Sequence, residues 1–215
     1  MYCKYEHLMR AYILIFLIVF SSVTSNSQNK LNFGIKTGYI NSWQTLNEKG
    51  RNTIIRSGGS EITHHRNSIS IGGFIDWELS KMLSLEGDVL YSNKGYITDV
   101  TFTSYDIEKL SYKLNYIDIP ILIKVRFLEK NCSPFFSAGY VSSVNVYQQI
   151  VTTFQQPFIY RANVYGYYGS LLFTSGININ HFILEARYAP GLTNYFYINR
   201  SLLSSFSVLV GYNFK

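Results

Sequence analysis

The residues of this chain best placed to do chemistry are charged side chains spaced two apart. Asp76 and Glu78, Glu86 and Asp88, Lys124 and Arg126, and Glu185 and Arg187 form four such pairs, and Lys36 and Asp118 join them. A spacing of two puts both members of a pair on one face of a strand. Carboxylates and cations gathered in a dry place can relay a proton, guide an ion, or neutralise one another as a salt-bridged plug. Histidine chemistry has less support. His64 and His65 are adjacent, so an extended chain points them in opposite directions, a poor metal arrangement. Neither they nor His181 can be assembled with a serine and an acid into a hydrolytic triad. Ser57-Gly58-Gly59-Ser60 lacks the spacing and the lysine of a phosphate-binding loop. The sequence thus nominates no catalytic residue, no cofactor site and no metal site, and its one constellation is the set of ten charges.

The elements that carry those charges show period two. From Asn115 to Phe127, Ile117, Ile119, Ile121, Ile123, Val125 and Phe127 alternate with Tyr116, Asp118, Pro120, Leu122, Lys124 and Arg126. One face is oily and the other holds all the charge. The same division recurs at Phe206 to Phe214, at Phe182 to Tyr188, at Leu83 to Tyr91 and at Ile69 to Leu79. The pattern predicts strands at about 31–43, 67–79, 82–98, 111–128, 134–147, 168–179, 181–195 and 203–214. Connections near Ser80-Lys81, Glu129 to Ser133 and Asn180 are tight, and those at 44–66, 99–110, 148–167 and 196–202 are long or polar. Alternating short turns and long loops is the pattern of outer-membrane barrels. The expected fold is all-β: an eight-stranded antiparallel up-and-down transmembrane β-barrel. Its oil faces lipid, its charges face the lumen, and both termini are periplasmic. A soluble barrel would place its oil inside. The small residues and opposite charges of the polar face suit a crowded lumen better. Aromatics also fall where interfacial girdles belong, with Trp77, Phe127, Phe136, Phe182 and Phe214 at turn ends and Tyr39, Tyr91 and Tyr188 towards loop ends. Pro120 cannot donate to a ladder, so a bulge is expected there.

Composition agrees. With 19 Tyr, 15 Phe and only 15% charged residues among 215, the chain is richer in aromatics and poorer in charge than a soluble domain. Its mean hydropathy of +0.03 is far below that of a bundle of membrane helices. At the N-terminus, Lys4 and Arg10 precede an apolar run from Ala11 to Phe20 that is too short to span a bilayer. Residues 1–27 therefore read as a cleaved signal peptide and 28–215 as the barrel domain. Cleavage removes Lys4, Arg10 and Glu6, lowering the net charge from +6 to +5, and removes Cys3, leaving Cys132 with no intramolecular partner.

Four segments carry a family resemblance. Asn115-Tyr-Ile-Asp-Ile-Pro-Ile-Leu-Ile-Lys124, Gly87-Asp-Val-Leu-Tyr-Ser-Asn-Lys-Gly95, Arg187-Tyr-Ala-Pro-Gly-Leu-Thr-Asn194 and Gly211-Tyr-Asn-Phe214 resemble, in order, strands of the PorT-like outer-membrane β-barrels of Bacteroidota. The resemblance implies an eight-stranded barrel whose terminal aromatic residue is read by the insertion machinery. Some members assist protein secretion by the type IX route, and the resemblance transfers no catalytic residue.

These readings combine into one expectation. The chain is a small, monomeric outer-membrane barrel of a Gram-negative bacterium, exported behind its signal peptide, with a filled charged lumen and a structural or protein-interaction role. A secretion-system accessory and a small-solute pore are the alternatives. Lys36, Asp76, Glu78, Glu86, Asp88, Asp118, Lys124, Arg126, Glu185 and Arg187 should form the lumen network, with Glu86 and Asp88 pairing to Lys124 or Arg126. Partners are outer-membrane lipid and lipopolysaccharide, together with envelope or secretion-system proteins, and not nucleic acid. Arg51, Arg56, His64, His65 and Arg66 could meet lipopolysaccharide phosphates or belong to a solvated loop. The aromatic stretch from Gln148 to Tyr167 suits packing over the barrel mouth or protein contact.

Overall fold

A computed structural model describes residues 30–46, 60–101, 108–127, 132–152, 159–160, 166–193 and 201–214. Its strands are β1 (Leu31–Leu46), β2 (Ser60–His64), β3 (Arg66–Glu78), β4 (Leu83–Thr101), β5 (Glu108–Arg126), β6 (Cys132–Thr152), β7 (Ile159–Tyr160), β8 (Tyr167–Ile179), β9 (Phe182–Ala189) and β10 (Ser201–Phe214). Hydrogen-bonded neighbours run β1, β3, β4, β5, β6, β8, β9, β10 and back to β1, all antiparallel. Eight strands therefore close into a ring, and β2 prolongs β3 along β4 while β7 pairs with the end of β6. A closed ring leaves no edge unpaired at membrane depth, which is what a lipid environment demands of a sheet.

The alternation in the sequence becomes an inside-out barrel. On β5, Ile119, Ile121 and Ile123 are 41%, 59% and 59% exposed, whereas Leu122 and Lys124 are 0% exposed. The same holds on β9, where Phe182, Leu184 and Tyr188 face out and Ile183, Glu185 and Arg187 are buried. Charges inside and an aliphatic belt outside invert the arrangement of a soluble barrel. Aromatic rings close both rims. Phe33 and Phe214 lie 5.9 Å apart, and Phe182 and Tyr212 5.4 Å apart, at the turn end. Trp43 stacks on Tyr188 at 6.4 Å at the loop end. The turn joining β8 to β9 is as tight as predicted, and Asn180 takes φ 54° there, a left-handed conformation that asparagine tolerates better than most residues.

Three expectations change. The predicted seventh strand, 181–195, ends at Ala189, because Pro190 has no N–H to continue the ladder. β4 and β6 run past their patterns, reaching Thr101 and Thr152, and parts of the predicted loops at 44–66, 99–110 and 148–167 are strand. Nor does Pro120 make a bulge. It faces the lumen, its pairing with Val141 is in register, and the register to β4 is the same on either side of it. The shift lies instead between Asn115 and Tyr116, opposite Asn145 and Tyr147. The proposed signal peptide, and Arg51 and Arg56, fall outside the described residues.

Candidate functional site: the lumen

The lumen is layered along the barrel axis. At the periplasmic end, Arg126 binds Glu78 and Asp76, both at 2.8 Å, and Asn32 donates to Glu78 at 2.8 Å. Deeper, Lys124 contacts Glu86 and lies 3.2 Å from Asp76. Lys36 approaches Glu86 at 2.6 Å, Glu185 at 3.3 Å and Asp88 at 3.6 Å. Arg187 completes this layer, with Asp88 and Glu185 at 2.6 Å and Glu86 at 3.3 Å. Glu86 and Lys124 are 0% exposed and Lys36 and Glu185 1%, so these ions have left water altogether. Desolvated charges persist only where partners surround them, and here Glu86 meets Lys36, Lys124 and Arg187 together.

Local sequence explains how so many long side chains fit. Phe74 and Phe135 also point inward, and each faces a glycine across the ladder, Gly34 and Gly176 respectively. A Cβ at Gly34 would lie 2.5 Å from the Phe74 ring, and one at Gly176 2.5 Å from the Phe135 ring. Each ring then carries an ammonium, with Lys36 Nζ 4.7 Å above Phe74 and Lys124 Nζ 4.6 Å above Phe135. Ring faces are negative, so they add a further favourable contact to each buried cation.

Above the ions lies an apolar layer of Leu122, Val141, Leu172 and Ala189. A cavity of about 30 Å³ beside it is bordered by Ile40, Leu90, Pro120 and Leu209, room for one or two waters. A second ionic group follows. Lys94 pairs with Asp118 at 2.7 Å and donates to the Tyr168 hydroxyl at 2.9 Å, while Ser143 donates to Asp118 at 2.5 Å. Towards the outside, Tyr96, Leu114, Tyr116, Tyr168 and Leu203 form a buried cluster, with Tyr96 stacked on Tyr112 at 4.4 Å and Ile150 packed against the group. An eight-stranded wall encloses only enough space for side chains, and here they fill it.

All ten charges singled out in the sequence lie on the lumen side of their strands, but the pairings differ in part from those expected. Glu86 meets Lys124 as anticipated. Asp88 does not reach Lys124 or Arg126 and binds Arg187 and Lys36 instead. The register gives the reason: Leu90 pairs with Asp118 and Leu83 with Val125, which leaves Asp88 and Arg126 about 20 Å apart along the wall. Asp118 also stands apart from the main cluster. Its partner Lys94 lies inside the predicted strand 82–98 but beyond Tyr91, where the reading of alternation stopped. Counting on from Glu86 and Asp88 by twos would have placed Lys94 inside.

At the outer rim, His64 lies 3.0 Å from Asp99 and His65 2.8 Å from Asn41, so the two imidazoles diverge as their adjacency implied. Arg66 donates to the backbone carbonyls of Lys94 at 2.7 Å and Tyr112 at 3.0 Å. His181 stacks on Tyr212 at 5.9 Å at a periplasmic turn. Among the described residues, no group of three His, Cys, Asp or Glu is arranged to hold a metal ion.

Several solved outer-membrane proteins are similar to this chain. The Yersinia pestis attachment invasion locus protein Ail is 13% identical, covering 85% of this chain and 98% of its own, with a TM-score of 0.44. OprG of Pseudomonas aeruginosa is 10% identical, covering 86% and 97%, with a TM-score of 0.48. Neisserial surface protein A is 10% identical, covering 85% and 97%, with a TM-score of 0.46. No curated protein matches the sequence. A family model described as "Outer membrane protein beta-barrel domain" matches residues 21–197. The chain belongs to that family, and it is an outer-membrane β-barrel protein.

Proposed function

We propose that the chain is a non-conducting outer-membrane barrel, of the PorT-like kind, that acts through contact at the cell envelope. The observation that carries this reading is the filled lumen. A path for solute would have to cross the buried ionic layer around Glu86, the apolar layer around Leu172 and the tyrosine cluster at the outer end. The cavity beside the apolar layer holds about 30 Å³. Among the described residues, His64 and His65 are engaged by Asp99 and Asn41. What the barrel offers a partner is its outer end, where β4, β5 and β6 continue their pairing up to Val100, Glu108 and Thr152. β9, in contrast, has stopped at Ala189. The PorT-like segments from Asn115 to Lys124 and from Gly87 to Gly95 belong to this taller side, which favours an accessory of a protein secretion system as the narrower form of the reading. The partners would then be envelope proteins approached from a lipopolysaccharide surface, by a monomeric barrel freed of residues 1–27.

Crosslinking in intact cells, followed by mass spectrometry, tests the proposal. Recurrent crosslinks from β4–β6 positions to a defined set of envelope proteins are expected. Stepwise conductance by the purified barrel in planar bilayers, with no specific crosslinks, would replace it with the pore reading.

A further inference from the structure

Every buried charge of the inner cluster has a counterion, yet the charges do not balance. Lys36 from β1, Lys124 from β5 and Arg187 from β9 face Asp76 from β3, Glu86 and Asp88 from β4, and Glu185 from β9. The flanking pair of Arg126 and Glu78 is neutral, and so is the separate pair of Lys94 and Asp118. Fully ionised, the cluster carries one carboxylate in excess. A net charge buried away from water is costly, and the usual remedy is for one group to be neutral.

We propose that the cluster retains one proton at neutral pH, carried on Asp88 Oδ1 as a carboxylic acid. Contacts single out that atom. Glu86 has three cations around it, and Asp76 has Lys124 at 3.2 Å and Arg126 at 2.8 Å. Asp76 Oδ1, Asp88 Oδ1 and Glu185 Oε1 are all buried without a hydrogen-bond partner, but Asp76 has two cations on its other oxygen, whereas Asp88 and Glu185 must share Lys36 and Arg187. Glu185 Oε1 still has the Arg187 guanidinium at 2.6 Å, and the other carboxylate oxygen accepts from Lys36 at 3.3 Å. Asp88 Oδ1 has only Lys36, at 3.6 Å. Asp88 is thus the carboxylate of the four with a single cation closer than 3.5 Å, Arg187 on its other oxygen. A metal ion is a poorer source of the missing positive charge, because Lys36 Nζ already occupies the point on which Glu86, Asp88 and Glu185 converge.

This inference stands apart from the contact role, since it concerns only the lumen. Infrared spectroscopy of the lipid-reconstituted barrel at neutral pH tests it. The wild type should show the C=O stretch of a protonated carboxyl group, displaced by 13C-labelled Asp and not by 13C-labelled Glu. Asp88→Asn should abolish the band. Glu185→Gln should abolish it too, because removing either carboxylate balances the cluster, and this variant serves if Asp88→Asn does not fold. A wild type without the band, a band moved by labelled Glu, or a band surviving in a folded variant would overturn the proposal. Should the wild type lack the band and gain thermal stability with added sodium or potassium but not choline, the extra charge is a bound metal ion and the proton is refuted.

Discussion

Glu86→Gln tests the energetics of the lumen most directly. Glu86 is 0% exposed and lies against Lys36, Lys124 and Arg187. Glutamine keeps the shape and can still accept hydrogen bonds, so packing is nearly unchanged and the loss is electrostatic. Removing one partner from a buried ion pair costs about 3–5 kcal/mol, because the other charge is left uncompensated. Three cations lose a partner here, which argues for the upper end. Two things pull the other way. Asp76, Asp88 and Glu185 remain within 3.6 Å of at least one of those cations, and loss of the Asp88 proton would restore neutrality. The expected destabilisation is therefore about 3 kcal/mol, on the order of 100-fold in the unfolding equilibrium. Urea titration of the barrel in lipid vesicles, followed by tryptophan emission and by heat-modifiable gel mobility, measures it. The exposed His64–Asp99 pair is an internal control, since Asp99→Asn should cost no more than about 1 kcal/mol. If Glu86→Gln proved no more costly than that control, the claim that the buried ions hold the barrel together would be wrong.

Other expectations follow from the same geometry. Gly34→Ala puts a Cβ 2.5 Å from the Phe74 ring and 2.0 Å from the Tyr212 carbonyl oxygen, so it should lower stability by about 1–3 kcal/mol in the same titration. Ile121→Arg places a charge on the lipid face at a position 59% exposed and should cost about 2–4 kcal/mol if that residue lies near the bilayer midplane. Arg66→Lys cannot span the carbonyls of Lys94 and Tyr112 in the same way. Faster hydrogen exchange is expected at the outer ends of β3 and β4, with no change at β9. Purified wild-type protein should give no stepwise conductance in planar bilayers, given the side chains that fill its lumen.

Period two made most of the fold legible. Which residues of β5, β9 and β10 face lipid could be read directly, because aromatic or aliphatic residues at every second position, against charged or small ones between them, leave one register that lipid will accept. Strand ends were harder. β4 and β6 outlast their hydrophobic patterns because, beyond the membrane, pairing with β5 no longer needs an oily outer face, and so the alternation fades while the ladder continues. Pairing partners inside the lumen were least legible. Asp88 and Arg187 are separated by 99 positions and meet across the interior; strand spacing alone does not specify such a contact, since it depends on the stagger of the closed ring. Lys94 lay just past the stretch from Leu83 to Tyr91 over which oily and polar residues alternate. Phe74 and Phe135, on the charged face, break the oily/polar rule, and only their glycine partners across the ladder make sense of them.

The contact between Arg187 and Asp88 has a mechanical side. In the ring β1, β3, β4, β5, β6, β8, β9, β10, the strands β4 and β9 stand four places apart in either direction, at opposite ends of a diameter. The 2.6 Å ion pair is therefore a strut across the full width of the cylinder. Hydrogen bonds within the wall resist separation of neighbouring strands but do little against flattening of the cross-section. A charged brace through the axis does resist it, and Lys36 from β1 and Lys124 from β5, through Asp88 and Glu86, tie the strut to two further staves. Lateral pressure from the bilayer would thus meet a tube that stays round, and whatever docks on its taller rim would find the rim's shape fixed.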